Sequence, residues 1–110
     1  MNAKTETISR LNDELRTGQS ADRRTVITSG VQALGNEALK NLHTAMAQFN
    51  MFTEENDPYG EHDFGALDFE GNRIFWKIDY YSKSLEGGSK DPSDPDCTTR
   101  VFTIMLAEEY

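Results

Sequence analysis

Ile8, Leu11 and Leu15 fall at i, i+3 and i+7 and predict a helix over about 5–17, one apolar stripe wide. Gly18 stands where such a helix stops, and the polar Gln19-Ser20-Ala21-Asp22 follows. With so few apolar positions this helix is expected to pack weakly. Thr25-Val26-Ile27-Thr28 is a short β-branched run and predicts a strand. Ser29 and Gln32 have the spacing of a capping box. Val31, Leu34, Ala38, Leu42, Ala45 and Phe49 then keep helical spacing, widened by Leu39 and Met46. They predict the main sheet-covering helix over about 30–50, weakened locally by Gly35.

The period then changes. Residues 53–62 read as a solvated loop, with Pro58 holding Asp57 out of helical geometry. Two strands follow at about 63–69 and 73–81, joined through Glu70-Gly71-Asn72. In the second, Ile74, Trp76, Ile78 and Tyr80 alternate with Phe75, Lys77, Asp79 and Tyr81, which assigns the first set to a core face. Residues 86–96, with two glycines and two Asp-Pro steps, form an irregular loop. Arg100–Leu106 is apolar on both faces and predicts a central strand, a helix being the alternative. The sum is an α+β domain, residues 1–110: two N-terminal helices packed on a small antiparallel sheet of three or four strands. At 110 residues one modest core is what the chain can bury.

Charge sharpens this picture. Residues 1–49 hold six Lys/Arg against five Asp/Glu, and residues 50–110 hold five against fourteen, so the net of −8 is concentrated in the second part. Glu54, Glu55, Asp57, Glu61, Asp63, Asp68 and Glu70 come before any basic residue, which is Arg73. Such a chain is not expected to bind nucleic acid or an anionic membrane directly, since both require Lys/Arg clusters and Arg23–Arg24 is the one adjacent basic pair. No apolar run approaches the ~20 residues of a membrane span, and Met1–Glu6 lacks the apolar segment of a signal peptide. With Cys97 as the one cysteine, no intramolecular disulfide can form. A cytoplasmic protein is expected.

The chemical candidates are few. His62 lies between Glu61 and Asp63, raw material for acid–base or metal chemistry, but strand neighbours point to opposite faces. A zinc site would have to gather His62, His43, Cys97 and a carboxylate. Asp91, Asp94 and Asp96 lack calcium-loop spacing, Cys97 follows an acid that disfavours its thiolate, and Gly87-Gly88-Ser89-Lys90 lacks the rest of a phosphate loop. No catalytic residue, metal ligand or cofactor is assigned. Trp76 and Tyr80 share the core register, which leaves Tyr81 and Phe75, on the other face, as the aromatic contact candidates.

Several segments together resemble a small bacterial family of unknown function, the domain of unknown function 3768. They are Asn56-Asp57-Pro58-Tyr59-Gly60-Glu61-His62-Asp63-Phe64-Gly65-Ala66, Phe75–Tyr81, Gly88–Pro95 and Arg100–Tyr110, with the Thr28-Ser29-Gly30-Val31 step. The resemblance implies a setting on plasmids and other mobile DNA, hence maintenance, transfer or evasion of host defence. It implies no activity and no catalytic residue.

The leading expectation is an acidic binding protein, in its strongest form an inhibitor or nucleic-acid mimic. It would lay Glu54, Glu55, Asp57, Glu61, Asp63, Asp68, Glu70 and Tyr81 against a basic groove of a host-defence or DNA-handling protein. Asp68 and Glu70, ~6.7 Å apart if both are on one strand, approximate two steps of the ~3.4 Å phosphate spacing of a DNA strand. The alternatives are a small metal-dependent or hydrolytic domain centred on Glu61, His62 and Asp63, and an accessory interaction module of a mobile element. Self-association is compatible with all three.

Overall fold

A computed structural model describes residues 3–20 and 24–110. It contains helix α1 (Ala3–Arg16), strand β1 (Thr25–Ile27), a short helix α2 (Ser29–Gln32), helix α3 (Asn36–Gln48), and strands β2 (Phe64–Phe69), β3 (Asn72–Tyr81) and β4 (Thr99–Leu106). A single 3-10 turn, Ala107–Glu109, ends the chain. The α+β class is as expected, with helices preceding most of a four-stranded sheet of order β1-β4-β3-β2. The sheet is mixed: β2, β3 and β4 are antiparallel, and β1 joins β4 in parallel, Thr25 beside Phe102 and Ile27 beside Ile104.

The hairpin explains its own register. Glu70 and Gly71 take φ of 49° and 81°, two successive left-handed residues that suit the twist of a tight two-residue hairpin. Phe69 therefore faces Asn72 and Gly65 faces Trp76. Ile74, Trp76 and Ile78 of β3 are buried with Phe102 and Ile104 of β4, and Leu42 and Met46 of α3, with Phe49 just after it, cover them. The rings of Phe49, Phe52 and Phe102 meet Trp76 edge-on, 5.4, 6.1 and 5.9 Å between centroids. Strand β4 is central, as its two-faced apolar pattern predicts.

Three expectations are corrected. The single helix over 30–50 is two helices, because Gly35 takes φ of 98° and turns the chain between α2 and α3. The Ser29–Gln32 capping box does not form. Thr28 holds the cap position, Gln32 reaches back to the Ile27 carbonyl, and the Gly30 amide is bonded by Glu109 from the far end of the chain. Helix α1 does not pack weakly. It buries Ile8, Asn12, Leu15 and Arg16, so half of its inward stripe is polar, and an apolar periodicity count misses those positions.

Candidate functional site: a cleft around His62

Helix α1 docks through hydrogen bonds. Asn12, 0% exposed, donates from Nδ2 to the Glu61 carbonyl at 2.9 Å and to the Tyr80 hydroxyl at 2.8 Å, and accepts from Arg100 Nε at 2.8 Å. The Tyr80 hydroxyl donates in turn to Glu61 Oε1 at 2.8 Å. Burial of this phenol, and its bond to Glu61, hold its pKa far above the ordinary range. Arg16 donates from Nη1 to the Met46 and Phe49 carbonyls at 2.7 and 2.9 Å, placing a cation at the end of α3, where the helix dipole is negative. Its Nη2 donates to Asp13 Oδ1 at 3.0 Å.

These contacts fix the loop that carries His62. Asn56 and Thr53 bond reciprocally, the Asp57 amide closes on the Thr53 carbonyl, and the Gly60 amide closes on that of Asp57. His62 adopts φ of 56°, a left-handed conformation uncommon outside glycine. Its ring stacks flat on Phe52, 3.8 Å between centroids and 3° between planes. Nδ1 lies 2.9 Å from Asp13 Oδ1, and Nε2 lies 3.7 Å from Asp57 Oδ2. His62 is thus held between two carboxylates, neither of them a sequence neighbour. Beside it opens a cleft of about 500 Å³ lined by Thr5, Phe52, Thr53, Glu54, Asp57, Tyr59 and His62, with no Lys or Arg among the described residues of its wall.

The sequence-predicted residues divide over three places. Glu54 is exposed in the cleft wall, and Glu55 is exposed next to it. Asp57, expected in solvent, is 8% exposed, because it accepts the His62 amide at 3.1 Å and faces the imidazole. Glu61 is taken up by Tyr80. Asp63 is half-buried, and burial, then the nearby Glu61, raises its pKa. Asp68 and Glu70 sit at the other end of β2, Asp68 paired with Arg73 at 3.2 Å and Glu70 in the hairpin turn. Because only Asp68 belongs to the strand, the regular strand spacing between the two does not hold. Tyr81 is at the far end of β3, on the sheet face away from the core, near Leu85 and Val101. Sequence reasoning misses Asp13, Phe52 and Tyr59. Asp13 carries no signal at all, since its partner is 49 residues away. Tyr59 stands in the signature segment, where a tyrosine without periodicity is a visible clue.

Metal chemistry gains no centre here. Among the described residues no three His, Cys, Asp or Glu side chains are placed to hold a metal ion. The Asp-rich loop serves itself: Asp91 Oδ1 accepts the Ser93 amide and hydroxyl, and Asp94 Oδ1 accepts the Asp96 amide. The Asp91 carboxyl is held below its ordinary value, chiefly by the Ser93 hydroxyl. Arg23 of the basic pair lies outside the described residues. Among the described residues no helix is long and apolar enough to cross a membrane.

Residues 27–109 match the family described as Protein of unknown function (DUF3768). The chain belongs to that family. The DUF3768 match takes in the loop, the hairpin and β4, and starts after α1, so Asn12, Asp13 and Arg16 reach into it from outside. No curated protein and no solved structure matches the chain.

Proposed function

We propose that this DUF3768 protein is an acidic binding protein that docks on a basic surface of a partner. A nucleic-acid-binding groove is the surface its charge suits best, and inhibition of a host-defence or DNA-handling protein follows from occupying it. The observation that carries the reading is the cleft beside His62: two carboxylates and three aromatic rings line it, and no Lys or Arg among the described residues does. No ion pair among the described residues involves Glu54 or Glu55 beside it, or Glu70 in the hairpin turn, so these charges are available to a partner. Fixed carboxylates with a low-entropy scaffold form charge-assisted bonds with Arg and Lys and steer association. Capture from extract with the wild-type protein and with a Glu54→Lys/Glu55→Lys variant tests this. Basic proteins retained by the first and lost by the second support it. Retention of the same proteins by both contradicts it.

One observation favours a second reading. A histidine with one nitrogen bonded to a carboxylate and the other beside a cleft is an arrangement used for proton transfer. In that reading His62 is the acid–base group and Asp13 orients it, in place of the neighbours Glu61 and Asp63. Turnover of any small ester or amide that His62→Gln abolishes would establish it.

A further inference from the structure

We propose that the cleft at Phe52–His62 is a receptor for a single arginine side chain presented by a basic segment of the partner. This rests on the acidic-binding reading above and assigns that reading its anchor.

The Asp57 side chain is 5% exposed. Its Oδ1 accepts the His62 amide at 3.1 Å, but no hydrogen bond from the described residues reaches Oδ2, whose nearest charged neighbour is His62 Nε2 at 3.7 Å. Among the described residues the buried side-chain atoms without a hydrogen bond are Arg16 Nε and Trp76 Nε1, so Asp57 Oδ2 keeps access to the cleft and can accept from a cation that enters it. Glu54 supplies a second carboxylate from the same wall. Tyr59, 80% exposed, packs against no other described ring. Both faces of Phe52 are approached already, by His62 in the stack and by the Arg16 guanidinium 5.5 Å from the ring centroid. The free aromatic surface of the cleft is therefore Tyr59.

A carboxylate pair beside an open aromatic ring suits a guanidinium better than an ammonium. Guanidinium is planar, weakly hydrated, stacks on rings and bonds carboxylates through two N–H groups at once. A base of nucleic acid would stack equally well, but its phosphates would meet Glu54 and Glu55. The cleft is open on the surface, so the arginine arrives on a chain, with its neighbours resting on the rim.

The test titrates the full chain with three short capped peptides, identical except for a central Arg, Lys or citrulline, and follows backbone amides by NMR. The arginine peptide should move the Thr53, Gly60 and His62 signals. Citrulline, the uncharged isostere, should bind at least about tenfold more weakly, and lysine about threefold. Tyr59→Ala and Glu54→Gln, both exposed changes, should each weaken binding about threefold to tenfold, and Glu70→Gln in the hairpin turn should not. Equal affinity for the citrulline peptide overturns the proposal, as does free arginine binding as tightly as the peptide. A deca-arginine probe separates the two levels. If it binds in a salt-sensitive way indifferent to Tyr59→Ala, the cleft proposal fails and the acidic-binding reading stands. If it does not bind at all, both fail.

Discussion

Gly65 lies directly opposite Trp76 in the β2–β3 ladder, and the indole occupies the space that a side chain on Gly65 would need. A Cβ there would come within 2.6 Å of Trp76 Cε2 and 2.7 Å of Phe49 Cζ, and nearest of all to Trp76 Nε1. Both side chains in this corner, Trp76 and Phe49, are buried, leaving nowhere to retreat. Gly65→Ala should cost about 1–3 kcal/mol through overpacking. Trp76→Ala should cost ~3–5 kcal/mol through the cavity it opens. Chemical denaturation of the two variants checks both. A Gly65→Ala protein as stable as wild type would mean that β2 can shift away from the indole.

Arg16 ties two helices to one loop. It bonds the last carbonyls of α3 and the carboxylate that holds His62. Arg16→Met removes charged hydrogen bonds from a buried site and should destabilise by about 3 kcal/mol. Arg16→Lys should recover little, since one ammonium cannot span both carbonyls and Asp13. Near-complete rescue by lysine in thermal unfolding would contradict this geometry.

Glu109 gives an acid-side signature. It accepts from the Thr28 hydroxyl at 2.6 Å, the Leu106 amide at 2.9 Å and the Gly30 amide at 3.1 Å. Chiefly through the Thr28 bond, its carboxyl titrates below its ordinary 4.5 in the folded protein. The folded form therefore gains stability above the unfolded pKa and loses it as pH falls through the folded one. Glu109→Gln should flatten that acid limb by lowering stability above pH ~6, while stability at the acid end, where Glu109 is protonated, stays nearly unchanged. An unaltered acid limb in the variant would remove Glu109 from the account.

The exposed and buried acids of one loop should separate. Glu54→Lys/Glu55→Lys should fold normally, because both side chains are in solvent. Asp57→Lys should not, because it places a buried ammonium against His62 and discards the bond that holds the His62 amide. Circular dichroism and melting of the two proteins decide between a loop with one internal anchor and a loop that is solvated throughout.

The strands were the legible part of this fold. Alternation in Ile74–Tyr81 identifies the buried face, and the two-faced run at Arg100–Leu106 identifies the central strand. Helix α1 was half legible: Ile8 and Leu15 show its inward stripe, while Asn12 and Arg16 complete it with hydrogen bonds that have no sequence period. Leu11, the third member of the apolar triplet, is only half-buried. The parallel pairing of β1 was hidden because a three-residue strand carries too little alternation to fix direction. At the candidate site the acidic loop was visible as composition. Its organisation was not, because Asp13 meets His62 across 49 residues and Phe52 enters through a stack rather than a motif.

Charge is the central claim, and the salt dependence of partner binding tests it most directly. The chain should first leave duplex and single-stranded nucleic acid unshifted at micromolar protein, since its field repels phosphate. With a partner captured from extract, Kd should then be measured by calorimetry from ~0.05 to ~0.5 M salt, where screening shortens from ~14 to ~4 Å. The account predicts that affinity falls by about tenfold or more over that range, and that duplex DNA competes for the same partner. Affinity that is flat across the series, with DNA unable to compete, would contradict it.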